Sequence, residues 1–128
     1  GVKLAAPEKD VIALVGDGAF VYGAPTSAIW ASMKYQTPFL TIIFNNSEHF
    51  STRRSLQKFY PESAAKRINT FPGLDISPSP NYADLAKASG AYGETIEDPN
   101  EIKDAIKRGL SQTRNGISAI IDVRLKRP

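Results

Sequence analysis

The stretch "VIALVGDGAFVYG", residues 11–23, carries the reading of this chain. Five apolar residues (11–15) run without a break into Gly16-Asp17-Gly18, and the chain then turns apolar again. A continuous apolar run of this length is what a parallel strand covered on both faces looks like. The glycine-framed aspartate that follows admits two readings, a bare turn or a site, because such tripeptides also serve as loop punctuation.

Working outward, Pro25 and Thr26 open a helix that is expected to run to about Gln36. Ala28, Ile29, Trp30, Ala31 and Met33 give it a broad buried face, with Trp30 and Met33 read as core. Pro38 closes the connection, and "FLTIIF" (39–44) is a second buried strand that stops at Asn45-Asn46. Strand, helix, strand is a βαβ unit with parallel strands and a right-handed crossover. Both polar motifs therefore fall just past the carboxyl ends of neighbouring strands, where open α/β sheets bind ligands. Upstream, "GVKLAAPEK" (1–9) reads as the end of a helix and a turn stopped by Pro7.

Residues 47–80 are polar and basic at first and partly helical, then loop-like through Pro72, Gly73, Pro78 and Pro80. A connection this long is expected to cover or complete a site. The α/β rhythm then returns. A helix capped by Asn81 or Asp84 carries Leu85, Ala86 and Ala88 and ends at Gly90; "AYGETI" (91–96) is a strand. Asp98-Pro99 starts a helix with Ile102, Ala105, Ile106 and Leu110 at helical spacing, and "ISAIIDVRL" (117–125) is the last strand. The expected fold is α/β: an open, mostly parallel sheet with helices on both faces, forming one domain over residues 1–128.

Composition excludes several function classes. With 41% hydrophobic and 23% charged residues, the chain is ordinary globular material. It has no cysteine, which removes disulfides and thiolate metal sites and fits a reducing, cytoplasmic setting. One histidine, His49, cannot build a histidine zinc site. No apolar run approaches the length of a membrane span, so no membrane partner is expected. The net charge is +3, but the basic pairs Arg53-Arg54, Lys66-Arg67, Lys107-Arg108 and Lys126-Arg127 are scattered among acidic residues, and no nucleic-acid partner is expected.

The chemistry lies in the two motifs at one edge. Amides following Gly18 can point at an anion. An aspartate there would repel a phosphate unless a cation stood between them. Asp17 therefore makes sense as a ligand of a hard divalent metal that bridges to phosphate oxygens. Magnesium asks for oxygen donors and few protein groups, and the amide oxygens of Asn45-Asn46 arrive at the tip of the next strand.

Gly-Asp-Gly, 26 intervening residues (19–44) and Asn-Asn resemble the thiamine diphosphate signature. Together with "FPGLDISPSPNYADLAKASGAYG" and "EIKDAIKRGLSQTRNGISAIIDVRL", they make the whole chain similar to the C-terminal, diphosphate-binding domain of the acetolactate synthase and benzoylformate decarboxylase group. The resemblance implies thiamine diphosphate and Mg2+ as cofactors. It assigns the Asp17 carboxylate, the Asn46 side-chain oxygen and the Glu48 main-chain carbonyl to the metal. Gly16, Gly18 and Ala19 would meet the diphosphate, the last two through backbone amides. Many relatives carry serine at the Ala19 position, so one hydroxyl contact is missing here. Phe50, Ser51 and Thr52 match positions near the reacting end of the cofactor, with Ser51 and Thr52 as substrate-side candidates. His49 is read as a cofactor contact or a surface residue.

The same resemblance implies decarboxylation or carboligation of small 2-oxo acids. It also implies a homo-oligomer, dimer or tetramer, and an activating glutamate on a pyrimidine-binding domain, usually of a partner subunit. No catalytic residue is assigned within these 128 residues. The glycine-rich stretch and first strand that open this domain in the family have no counterpart, so the chain is expected to be a fragment of a larger polypeptide of several domains or a subunit of a split enzyme. The alternative expectation is a non-catalytic domain that keeps the fold and binds a phosphate ligand or a protein partner.

Overall fold

The four apolar runs pair into one sheet. A computed structural model describes residues 1–127. In chain order the elements are α1 (Val2–Ala5), β1 (Ile12–Gly16), α2 (Asp17–Tyr22), α3 (Pro25–Lys34), β2 (Leu40–Asn45), α4 (Phe50–Phe59), α5 (Ala64–Arg67), α6 (Tyr82–Ala88), β3 (Tyr92–Ile96), a 3-10 turn (Pro99–Glu101), α7 (Ile102–Arg114) and β4 (Ala119–Arg124). All pairings are parallel, in the order β1-β2-β4-β3.

Strand side chains alternate between faces, so the sheet has two cores. On one face Ile43 and Ile120 pack with Phe20 of α2, Ile29 of α3, and Tyr82 and Ala86 of α6. On the other, Leu40, Ile42, Ile121 and Val123 pack with Ala105 of α7. Each buried leucine or isoleucine contributes about 1.5–3 kcal/mol. Helices thus cover both faces, as the sequence predicts. Asn81 is the cap of α6: its side chain accepts the Asp84 N–H at 3.0 Å. Gly90, just past that helix, takes φ +81.

Four local expectations are corrected. First, β1 is an edge strand: α7 lies over β2, β4 and β3, leaving Ile12 exposed and Leu14 65% exposed. Second, Gly-Asp-Gly is no loop. Asp17 and Gly18 are the first residues of α2, a short helix before α3. Third, α3 buries only Ile29 and Ser32, with Met33 half-buried. Trp30 is 57% exposed, 100° further round the helix than Ile29, with the Lys34 ammonium 4.9 Å from its ring centre. Ser32 is buried because its hydroxyl donates to the Ile29 carbonyl at 2.7 Å and meets the Ser118 hydroxyl at 2.7 Å. Fourth, α6 buries Tyr82, Ala83 and Ala86, and Ala88 faces solvent.

Candidate functional site

The carboxyl end of β1 turns into α2 within a single residue. Gly16 caps the helix with ordinary extended backbone, φ −77 and ψ 151. Asp17 follows, 2% exposed. Its Oδ1 accepts the Gly18 N–H at 2.9 Å. Its Oδ2 is buried with no hydrogen-bond partner. Neither glycine takes positive φ. Gly18 is needed for space: a Cβ there would collide with Nδ1 and Cε1 of the His49 ring. That ring also stacks on Tyr22, with centroids 5.2 Å apart.

At the end of β2 the two asparagines part company. Asn45 is 1% exposed and faces inward. Its Nδ2 donates to Asp122 Oδ1 at 2.9 Å, and its Oδ1 accepts from the Ser47 N–H at 3.1 Å and the Ser79 hydroxyl at 3.0 Å. Asn46 is half-buried, and its Oδ1 accepts only the Glu48 N–H, at 3.1 Å. Between them and Glu48, Ser47 sits in the left-handed region at φ +57. The Glu48 carboxylate turns to Arg53, at 3.0 and 3.2 Å, and the Arg53 guanidinium lies over the Phe71 ring. The Glu48 carbonyl accepts the Phe50 N–H at 2.8 Å and keeps its second lone pair.

The 47–80 connection folds back over this exit. His49 N–H donates to the Leu74 carbonyl at 2.8 Å, and Ile76 N–H to the Ser47 carbonyl at 2.9 Å. Arg127 donates to the same Ser47 carbonyl at 2.7 Å and pairs with Asp75. The Arg127 guanidinium, helped by the Ser77 hydroxyl and amide, holds the Asp75 carboxyl well below the usual range.

Between the two exits lies a cleft of about 310 Å³. Gly16, Asp17, Gly18, Ala19, Asn46, Glu48, Phe50 and Ser51 all line it, joined by Phe44, His49 and Leu125. Thr52, named with Ser51 from the sequence, does not; it lies one position further round α4 and faces solvent. The donor set is hard: one carboxylate oxygen without a partner, one amide oxygen and one carbonyl. Among the described residues no three histidine, cysteine, aspartate or glutamate side chains come together as a metal cage. A divalent ion held here would have to take the rest of its shell from outside these residues.

Beneath the cleft lie two residues the sequence reading passed over. Asp122 is fully buried in β4, and its Oδ2 lies 3.1 Å from an Arg124 nitrogen. Burial pushes its carboxyl above the ordinary range, against the pull of Asn45 and Arg124. Tyr82 is 1% exposed, and burial, then the Asp17 and Asp122 carboxylates, push its hydroxyl up to about 12. A lone acid inside the apolar run of residues 119–123 was the available signal for Asp122.

With the geometry in hand, the comparisons with known proteins point one way. The model of the thiamine pyrophosphate enzyme, C-terminal TPP binding domain, matches residues 1–123. The chain belongs to this family. The TPP-binding domain is 26% identical over 126 residues to a probable sulfoacetaldehyde acetyltransferase of Rhizobium meliloti, covering 98% of the chain and 20% of that protein. It is 29% identical over 114 residues to benzoylformate decarboxylase of Pseudomonas aeruginosa, covering 89% of the chain and 20% of that protein. Among solved structures, the thiamine diphosphate-dependent 4-hydroxybenzoylformate decarboxylase of Rhodococcus jostii matches with a TM-score of 0.74 at 25% identity, covering 98% of this chain and 21% of that one. The domain thus spans about a fifth of the length of these relatives.

Proposed function

We propose that this domain holds Mg2+ and thiamine diphosphate within an enzyme that decarboxylates or carboligates 2-oxo acids. The observation that carries this reading is Asp17 Oδ2, buried without a partner at the wall of a cleft that also presents Asn46 and the Glu48 carbonyl. An unsatisfied buried carboxylate oxygen is costly, by about 1–3 kcal/mol or more. A bound cation would offset that cost. Asp17, Asn46 and the Glu48 carbonyl would hold the ion; the Ala19 backbone amide would meet the diphosphate, joined by the Gly18 amide once it leaves Asp17 Oδ1.

When bound, thiamine diphosphate supplies a nucleophilic carbon and a ring that takes up the electron pair left by the departing carbon dioxide. The domain's own part is to bind and to orient. Turning the Glu48 carboxylate onto Arg53 leaves only its main-chain oxygen for the ion. Phe50 and Ser51, at the start of α4, border the reacting end. The activating glutamate belongs to a pyrimidine-binding domain of the same or a partner subunit in a homo-oligomer. A cytoplasmic setting completes the proposal, supported by the cysteine-free composition.

Titration calorimetry of the full-length protein with thiamine diphosphate and Mg2+ tests this reading. Asp17→Ala is expected to weaken magnesium-dependent binding by at least about 100-fold, on the scale of a lost charge-assisted contact in a buried site. Unchanged affinity would sink it.

A further inference from the structure

Ser47 is a non-glycine residue at φ +57, where a side chain is strained. Such strain persists only where the surroundings over-determine it. Here both sides of the residue are tied to distant parts of the chain. On the amide side, Ser47 N–H donates to Asn45 Oδ1. That oxygen also takes the Ser79 hydroxyl from 34 residues away, and the Ser79 and Ser47 hydroxyls lie 2.7 Å apart. Asn45 itself is fixed by Asp122 Oδ1 from within β4. On the carbonyl side, Ser47 takes Ile76 N–H and Arg127.

The left-handed residue has a direct consequence for the cleft. It reverses the chain so that the Glu48 N–H returns to Asn46 Oδ1, and this fixes the direction of that amide oxygen. The Glu48 carbonyl is set by the same turn. We propose that Ser79 and Asp122, acting through Asn45, are positioning residues: they hold Ser47 in its left-handed turn and so aim Asn46 and Glu48 into the cleft. This rests on the reading of Asp17, Asn46 and Glu48 as the metal site. The alternative is that the same bonds only tie down the 47–80 connection.

Glycine separates the two, because it takes positive φ without strain. In the full-length protein with thiamine diphosphate, Mn2+ affinity is read by electron paramagnetic resonance, and the melting temperature of the cofactor-free protein is read alongside. Ser79→Ala is expected to weaken Mn2+ by on the order of five-fold, the scale of one left-handed residue losing its support. Adding Ser47→Gly is expected to return Mn2+ affinity to within about two-fold of the parent, with a melting temperature at or above that of Ser79→Ala because the strain at residue 47 is relieved. Ser79→Ala with parental Mn2+ affinity overturns the inference, and so does a double variant that stays weak. Asp17→Ala serves as the reference. If it abolishes Mn2+ binding while Ser79→Ala does not weaken it, the metal site stands and the positioning role falls. If Asp17→Ala binds Mn2+ normally, the metal site falls and the positioning role falls with it.

Discussion

At the end of β1 the chain passes from strand to helix in one residue, and Asp17 is fixed by its neighbour Gly18 and by burial against the sheet. At the end of β2 the chain needs Asp122, Ser79, Ile76 and Arg127, drawn from three later parts of the sequence, to set Asn46 and Glu48. One wall of the cleft is thus built locally and the other by long-range hydrogen bonds. A locally built wall survives as long as its helix does. A wall assembled at long range shares the cooperativity of the whole sheet.

Two equally buried carboxylates give the sharpest way to break this contrast. Asp17→Ala should lose magnesium-dependent cofactor binding by the largest factor of any substitution here, yet leave the cofactor-free protein as stable as the parent or up to about 1–3 kcal/mol more stable in urea unfolding, because it removes a buried oxygen that has no partner. Asp122→Ala should do the reverse and cost about 1–3 kcal/mol of stability, since it leaves the buried Asn45 Nδ2 without its acceptor. Equal stability losses for both would erase the distinction between the walls.

A smaller effect tests the contact between the walls. Gly18→Ala drives a methyl into the His49 ring and should lower stability by about 1 kcal/mol. With His49→Ala added, the sign should reverse to a gain of up to about 1 kcal/mol, because alanine then only improves the helix. A double variant no more stable than Gly18→Ala alone would mean that His49 is not the obstacle.

The smallest effect lies on the far edge of the sheet and serves as the control. Glu94 Oε2 accepts from Arg108 Nε at 3.1 Å and from the Tyr92 hydroxyl at 2.6 Å, and the Arg108 guanidinium is the first cause that holds the Glu94 carboxyl below its ordinary value of 4.5. A carboxyl lowered on folding contributes stability above pH 4.5, and that contribution is lost as pH falls through the lowered value. Glu94→Gln should therefore flatten the acid limb of the stability–pH curve slightly and leave cofactor binding untouched. An unchanged acid limb would remove Glu94 from the linkage.

The same contrast explains what the sequence made legible. Apolar runs bounded by turns are local signals, and they returned the four strands, the parallel α/β class and the edge where Asp17 and Asn46 meet. Helix-face readings failed at Trp30 and Ala88 because both are apolar residues on the solvent side of helices too short to define a face by composition. The β1 run reads as doubly covered, but its coverage depends on which strand sits at the edge, a property of strand order. Asn45 and Asn46 are indistinguishable in sequence. Only the partner at Asp122, 77 residues on, assigns one to the frame and the other to the cleft. The Glu48 carboxylate is likewise committed by Arg53 and Phe71 folding back over it.

The open side of β1 carries a practical consequence. Its outer edge pairs with no strand among the described residues, and Ile12 and Leu14 stand exposed beside it. An uncovered apolar edge is a template for strand addition. Prepared as an isolated 128-residue segment, the molecule should therefore self-associate on concentration, visible as rising light scatter, and Leu14→Lys should suppress it. For this domain, solubility in isolation reports on the edge, and is no measure of whether the cleft is correctly formed.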